Sequence, residues 1–219
     1  MPFVARHATT HERIDITRLA NPRRQLDAAQ LVCQLCDTRM FIRQGPVIRA
    51  HFAHAKACPV DYQCHPESPE HLLGKFYISR YLAQLPEFAG ARVDLEVPIH
   101  ARKRVADIMV TFPKGHRLAV EIQLASITTE QLEARTGDYQ YEGIDVLWVL
   151  GKAAALSVHN QAWCRTVLGG YLSVVFTECN EQVDIALVPE GAPHEDGDAQ
   201  PRNGGGAPAD PDHAPAVAG

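Results

Sequence analysis

Residues 105–126, VADIMVTFPKGHRLAVEIQLAS, decide the fold: two apolar runs joined by Pro113, Lys114, Gly115 and His116. Successive side chains of a strand point to opposite faces, so residues two apart share one. In the second run Leu118, Val120, Ile122 and Leu124 fall on one face, while Ala119, Glu121 and Gln123 fall on the other. In the first run Asp107 stands opposite the face of Ala106, Ile108, Val110 and Phe112. A hairpin through the turn brings Asp107 beside Glu121, with Gln123 next along. Two carboxylates held together repel unless a cation or a proton lies between them, and a divalent metal satisfies that demand. For an isolated hairpin a solvated polar face is the commoner arrangement.

Outward from the hairpin, the elements alternate. Upstream, Ser68 as N-cap, Pro69 at the first helical position and Glu70 in the first turn start a helix. Leu72, Leu73, Phe76, Tyr77, Tyr81 and Leu82 continue it at helical spacing, and Pro86 bounds it. ARVDLEVPIH then alternates as a strand, with Val93, Leu95, Val97 and Ile99 expected on one face. Downstream, Thr128 with Gln131 forms a capping box for a helix running to about Tyr141. IDVLWVL, residues 144–150, is apolar enough to need burial on both faces, and YLSVVF and VDIALVP supply later strands. This order predicts an α/β fold, a mixed central sheet flanked by helices.

Residues 1–64 have a different texture. FVARH and RIDITRL read as short strands, and from Leu31 to Cys64 the chain is punctuated by Cys, His, Arg and Gly. So little apolar material needs a staple, and the clustered cysteines of a chain without a signal-like N-terminus suggest metal rather than disulfide. Cys33 and Cys36 form a CxxC pair, followed by His51, His54, Cys58 and Cys64. Six candidates compete for the four places of a structural Zn²⁺. We take Cys33, Cys36, His54 and Cys58 as the set, with His51 and Cys64 as substitutes. Cys164 and Cys179 stand alone in apolar surroundings and read as buried and inert.

Charge divides the chain further. The formal net charge is -5, and residues 190–219 alone account for -5. Residues 1–56 carry nine bases against four acids, a balance compatible with a phosphate backbone. The expected organisation is a small basic unit over 1–64, an α/β domain over 65–189, and a disordered acidic Gly/Pro/Ala-rich tail over 190–219. No run is apolar and long enough for a membrane span, so a cytoplasmic location with no membrane partner is expected.

The motifs, taken in order, resemble a known family. C-x2-C, HFAH, Cys58, ES-x-x-H with Lys75 four residues on, V-A-D-I, A-V-E-I-Q-x-x-S-I, R-x-x-x-Y and VLWVL together look like the competence protein CoiA family, over roughly residues 30–150. That family resembles the PD-(D/E)xK nucleases, so the resemblance implies a restriction-endonuclease-like fold, Mg²⁺- or Mn²⁺-dependent phosphodiester cleavage, DNA as partner, and an association with competence and recombination proteins. On this match Asp107 and Glu121 are the metal-binding acids, Gln123 takes the place of the motif lysine, and Glu67 or Glu70 is the acid near the first helix. Ala106 stands where the motif has proline. Glutamine lacks the lysine's charge, and the CoiA-like pattern itself carries this E-x-Q form.

One or two carboxylates with the scissile phosphate suffice for Mg²⁺, and the main-chain carbonyl of Ile122 is placed to add a ligand. Gln123 is expected to orient water. His71 and Lys75 share a helix face, with Lys75 expected to reach phosphate and His71 to anchor the helix. Arg135 and Tyr139 share a face of the later helix. The leading expectation is a metal-dependent DNA endonuclease. Its rivals are a non-catalytic DNA-binding or recombination-accessory protein on the same fold, and an enzyme acting on RNA.

Overall fold

The computed structural model describes residues 2–45, 49–56, 67–176 and 183–189. The expected tail, Cys58, Cys64 and Cys179 lie outside the described residues.

The centre is a six-stranded mixed sheet in the order β11-β10-β9-β8-β7-β6. Its strands are β6 (Arg92–Ile99), β7 (Arg104–Thr111), β8 (Arg117–Gln123), β9 (Asp145–Gly151), β10 (Gly170–Phe176) and β11 (Val183–Pro189). The opening stretch forms the expected antiparallel hairpin β7–β8, with Ile108 opposite Val120 and Thr111 opposite Arg117. A crossover through helix α3 (Thr129–Tyr141) makes β9 parallel to β8, so both a hairpin and a βαβ unit meet at β8.

Helices cover both faces. On one face lies α2 (Pro69–Leu82), started by Ser68, whose hydroxyl accepts from the His71 amide. It buries Leu72, Phe76, Ile78 and Leu82 against Leu95, Ile108, Val120 and Ile122. Each such side chain contributes about 1.5–3 kcal/mol of burial. On the other face α3 and α5 (Val158–Leu168) pack Leu132, Tyr139 and Cys164 on Ala106, Met109, Ala119 and Trp148. The Thr128–Gln131 capping box is present in both its hydrogen bonds. Trp148 is fully buried beside Val149, which faces the opposite layer, as the apolar run of β9 requires.

The N-terminal unit holds β1 (Val4–His7), β2 (Arg13–Asp15) and β3 (Leu31–Val32) in one sheet, and β4 (Met40–Arg43) with β5 (His51–His54) in a hairpin. A single-turn helix α1 (Pro22–Gln25) lies between β2 and β3 in the chain, and another, α4 (Lys152–Ala155), precedes α5. Phe3, Val4, Ile16, Leu31, Met40 and Phe52 join the same buried cluster as α2 and the sheet. The N-terminal unit therefore completes the core of the larger one.

One expectation is corrected. Val93, Leu95, Val97 and Ile99 do not share a face: Val93 and Leu95 pack in the α2 layer, whereas Val97 and Ile99 pack in the α3 layer. The cause is Glu96, which takes a left-handed conformation with φ 52° and reverses the alternation of β6. The β6–β7 pairing holds on either side, at Leu95–Ile108 and Val97–Ala106, and skips Glu96 and Asp107. Ala106 accordingly packs in the layer opposite Ile108. Asp107 thus sits at a break in the pleat where the strand can turn its carboxylate towards α2.

Candidate metal centre

Asp107 is approached from α2. His71 Nε2 lies 3.3 Å from Asp107 Oδ2 and donates to the carbonyl of Ile122 at 3.0 Å. His71 Nδ1 lies 3.1 Å from Glu67 Oε1, just ahead of the helix. Ligand atoms of Glu67, His71 and Asp107 all fall within 4.8 Å of one another. Asp107 Oδ2 also accepts the Ile122 amide at 2.9 Å, which fixes it to the neighbouring strand.

The charges in this group are strongly interdependent. Burial alone raises the Asp107 carboxyl, but the His71 charge and hydrogen bond outweigh it and hold the group below its ordinary value. Burial likewise disfavours the imidazolium, yet Asp107 and Glu67 raise His71 to about 10. Burial opposes ionisation of Glu67 too, and Lys75 and His71 nevertheless lower it to about 2. Without an ion, the two carboxylates favour a proton on the imidazole between them, and a bound cation has to drive off that proton before His71 can ligate.

Lys75, expected to reach phosphate, is only 1 % exposed. Its ammonium donates to both oxygens of Glu67 at 2.7 Å and to Glu96 Oε1 at 2.5 Å, so a surface contact is ruled out in this arrangement. Glu70 is exposed on the first turn of α2, leaving Glu67 as the acid beside Asp107.

Glu121 faces the other layer. It is 1 % exposed, accepts Tyr139 Oη at 2.8 Å, pairs with Arg135 Nη2 and takes a longer contact from the Asp107 amide at 3.3 Å. Burial raises its carboxyl above the ordinary value despite Arg135. Gln123 accepts from Arg135 Nη1 at 3.0 Å and donates to the Ala125 carbonyl at 2.9 Å. Arg135, on the R-x-x-x-Y face of α3, thereby ties both E-x-Q side chains together, and its guanidinium lies 4.8 Å above the Trp148 ring.

The residues fit a divalent ion by their donor chemistry. Two carboxylates and an imidazole suit Mn²⁺ better than Mg²⁺, which prefers oxygen alone. The Ile122 carbonyl, expected as a ligand, is held by the same His71 nitrogen that faces Asp107.

In the N-terminal unit the CxxC turn brings Cys33, Cys36 and His54 together within 4.8 Å, with Cys36 Sγ 3.5 Å from His54 Nε2. The Leu35 amide donates to Cys33 Sγ at 3.4 Å, and Asp37 closes the turn with φ 56°. Burial raises the Cys33 thiol to about 11 and lowers His54, so a bound cation has to drive off the thiol proton. His51 lies three residues before His54 on β5, hence on the opposite face, and its Nδ1 meets the Arg49 carbonyl at 2.9 Å.

Glu96 had no signal in the sequence. In ARVDLEVPIH it alternates with apolar residues as any solvent-facing acid would, yet it is 4 % exposed.

A mixed sheet between helices, with acids on adjacent antiparallel strands and a third ahead of α2, has the form of a nuclease-like domain. Residues 67–171 match the family described as competence protein CoiA, nuclease-like domain, and residues 17–61 match competence protein CoiA, N-terminal domain. The chain belongs to this CoiA nuclease-fold family. It is 31% identical over 134 residues to competence protein CoiA of Bacillus subtilis (strain 168), covering 60% of this chain and 34% of that protein. It therefore spans about a third of that relative's length. Among solved structures, a repair endonuclease from Pyrococcus abyssi overlaps 46% of each chain at 15% identity, with a TM-score of 0.27, too low to compare the folds in detail. Among the described residues no helix is long and apolar enough to cross a membrane.

Proposed function

We propose that the protein is a divalent-metal-dependent DNA endonuclease, with Glu67, His71 and Asp107 holding the ion and Glu121 on the strand beside Asp107, its carboxylate turned to the α3 layer. The observation that carries this reading is the convergence of three ligand atoms within 4.8 Å at the pleat break beside the E-x-Q strand. A bound Mn²⁺ or Mg²⁺ would supply charge for the scissile phosphate and acidify water. The chain's own part is to hold Asp107 through the Ile122 amide, to keep Glu67 ionised through Lys75, and to present the Gln123 amide beside Glu121. Cys33, Cys36 and His54, with Cys58 as fourth ligand, hold a structural Zn²⁺. The basic N-terminal unit gives phosphate contacts to DNA, and the competence and recombination setting of the CoiA family supplies the partners.

A second reading has its own support. Glu121 is saturated by Arg135, Tyr139 and the Asp107 amide, and Gln123 replaces a cationic lysine, as suits a DNA-binding accessory that keeps the fold without cleavage. Incubating wild type and Asp107→Ala with linear, single-stranded and branched DNA, and with RNA, separates the two. Cleavage that needs Mg²⁺ or Mn²⁺ and is lost in the variant supports the nuclease. Binding by both without cleavage supports the accessory.

A further inference from the structure

Behind Glu67 a buried chain of polar groups runs back to the first strand of the protein. Glu96 is 4 % exposed and holds a left-handed backbone that favours glycine. Its two oxygens accept the amides of Phe3, just ahead of β1, at 2.8 Å and of Val4, the first residue of β1, at 3.0 Å. Oε1 also takes the Lys75 ammonium, which grips both oxygens of Glu67. Glu67 precedes the N-cap, so the helix backbone does not fix its side chain.

Burying an ammonium between two carboxylates is costly, and apolar side chains would fill the same space with less desolvation. Through Glu67 this cluster meets the His71–Asp107 pair. We propose that Glu96 and Lys75 are positioning residues of the metal centre, and that strand β1 is built into it: the Phe3 and Val4 amides aim Glu96, Glu96 aims Lys75, and Lys75 sets Glu67 against His71 and Asp107. The proposal rests on the reading of Glu67, His71 and Asp107 as a metal site, and does not need that site to cleave DNA. It also explains why the two units share a core: docking of the N-terminal unit completes the site.

The test uses the full chain with its zinc retained, in four forms: wild type, Lys75→Met, Glu96→Gln and Leu82→Ala. Leu82 is buried in the apolar cluster on the same helix and has no polar side-chain atom to join the chain, so it controls for lost stability. Mn²⁺ affinity is read by electron paramagnetic resonance, and kcat and KM on linear DNA in Mn²⁺. Lys75→Met and Glu96→Gln should each lose roughly 10–100-fold in Mn²⁺ affinity and in kcat, the range found for groups that orient metal ligands, while KM for DNA stays within about threefold. Leu82→Ala should lower the melting temperature and leave both unchanged. Affinity and kcat within twofold of wild type in both polar variants, or losses matched by Leu82→Ala, overturn the proposal. Failure of both polar variants to fold does so too, because the cluster is then only a structural element. A wild type that binds Mn²⁺ without cleaving, with binding lost in the two variants, upholds the proposal and refutes the nuclease. A wild type that binds no Mn²⁺ overturns both.

Discussion

Tyr139→Phe removes one oxygen from the centre of the molecule and nothing else. Tyr139 is 1 % exposed, its ring packs with Leu132 and Trp148, and its hydroxyl donates to Glu121 Oε1 at 2.8 Å. A hydrogen bond to a charged group contributes about 1.5–3 kcal/mol. Glu121 keeps Arg135 and the Asp107 amide, so the loss should fall at the lower end, about 1.5–2 kcal/mol. For a folded body of this size each kcal/mol moves the melting temperature by about 2–4 °C, so the variant should melt roughly 3–8 °C lower. Urea unfolding of both proteins at neutral pH without added metal gives the free energy directly. The midpoint should fall with an unchanged slope, since no surface is newly exposed. A loss below about 0.5 kcal/mol would refute the reasoning, because a surface-like value means the hydroxyl does not serve a buried carboxylate.

Other outcomes follow from the same geometry. Glu67, lowered from 4.5 to about 2, stabilises the fold in full above pH 4.5 and loses that contribution as pH falls through 2; His71, raised from 6.5 to about 10, contributes in full below pH 6.5 and is lost as pH rises through 10. Urea midpoints in buffers without Mg²⁺ or Mn²⁺ should therefore be highest between about pH 4.5 and 6.5, and a midpoint that climbs from pH 6.5 to 9 would contradict the His71 assignment. Cys36→Ser should abolish stoichiometric zinc and lower the melting temperature, as seen by metal analysis and circular dichroism; full zinc content in the variant would remove Cys36 from the ligand set. Leu132→Ala empties a fully buried site between α3 and the sheet and should cost about 2–5 kcal/mol in urea unfolding; a cost under 1 kcal/mol would mean the α3 layer is loosely packed.

The hairpin, the capped helices and the doubly buried β9 were legible because each has a local cause: strand alternation, Ser68 and Thr128 at helix starts, and an apolar run with no polar face. Helix α5 was missed, although Ser157 caps it and Gly169 ends it with φ 77°. Its residues, VHNQAWCRTVL, mislead by type, because Asn160 is buried while Val158 and Val167 are exposed. The pairing of Asp107 with strand β8 came from alternation. Its meeting with Glu67 and His71 came from a break in alternation at Glu96, which no pattern announces. Lys75 and Glu96 looked like surface charges for the same reason: a long-range partner, 21 residues away in sequence, decides their burial. Glu121 was legible as a polar residue on a buried strand, and its clamp by Arg135 and Tyr139 needed the orientation of α3.

The most direct measurement is a Mn²⁺ titration of the zinc-loaded protein, wild type against Asp107→Asn, followed by electron paramagnetic resonance. The account predicts one bound Mn²⁺ per wild-type chain, with affinity falling at least tenfold on loss of a single ligand charge. Equal Mn²⁺ binding by both proteins would place the ion elsewhere and contradict the Glu67–His71–Asp107 centre.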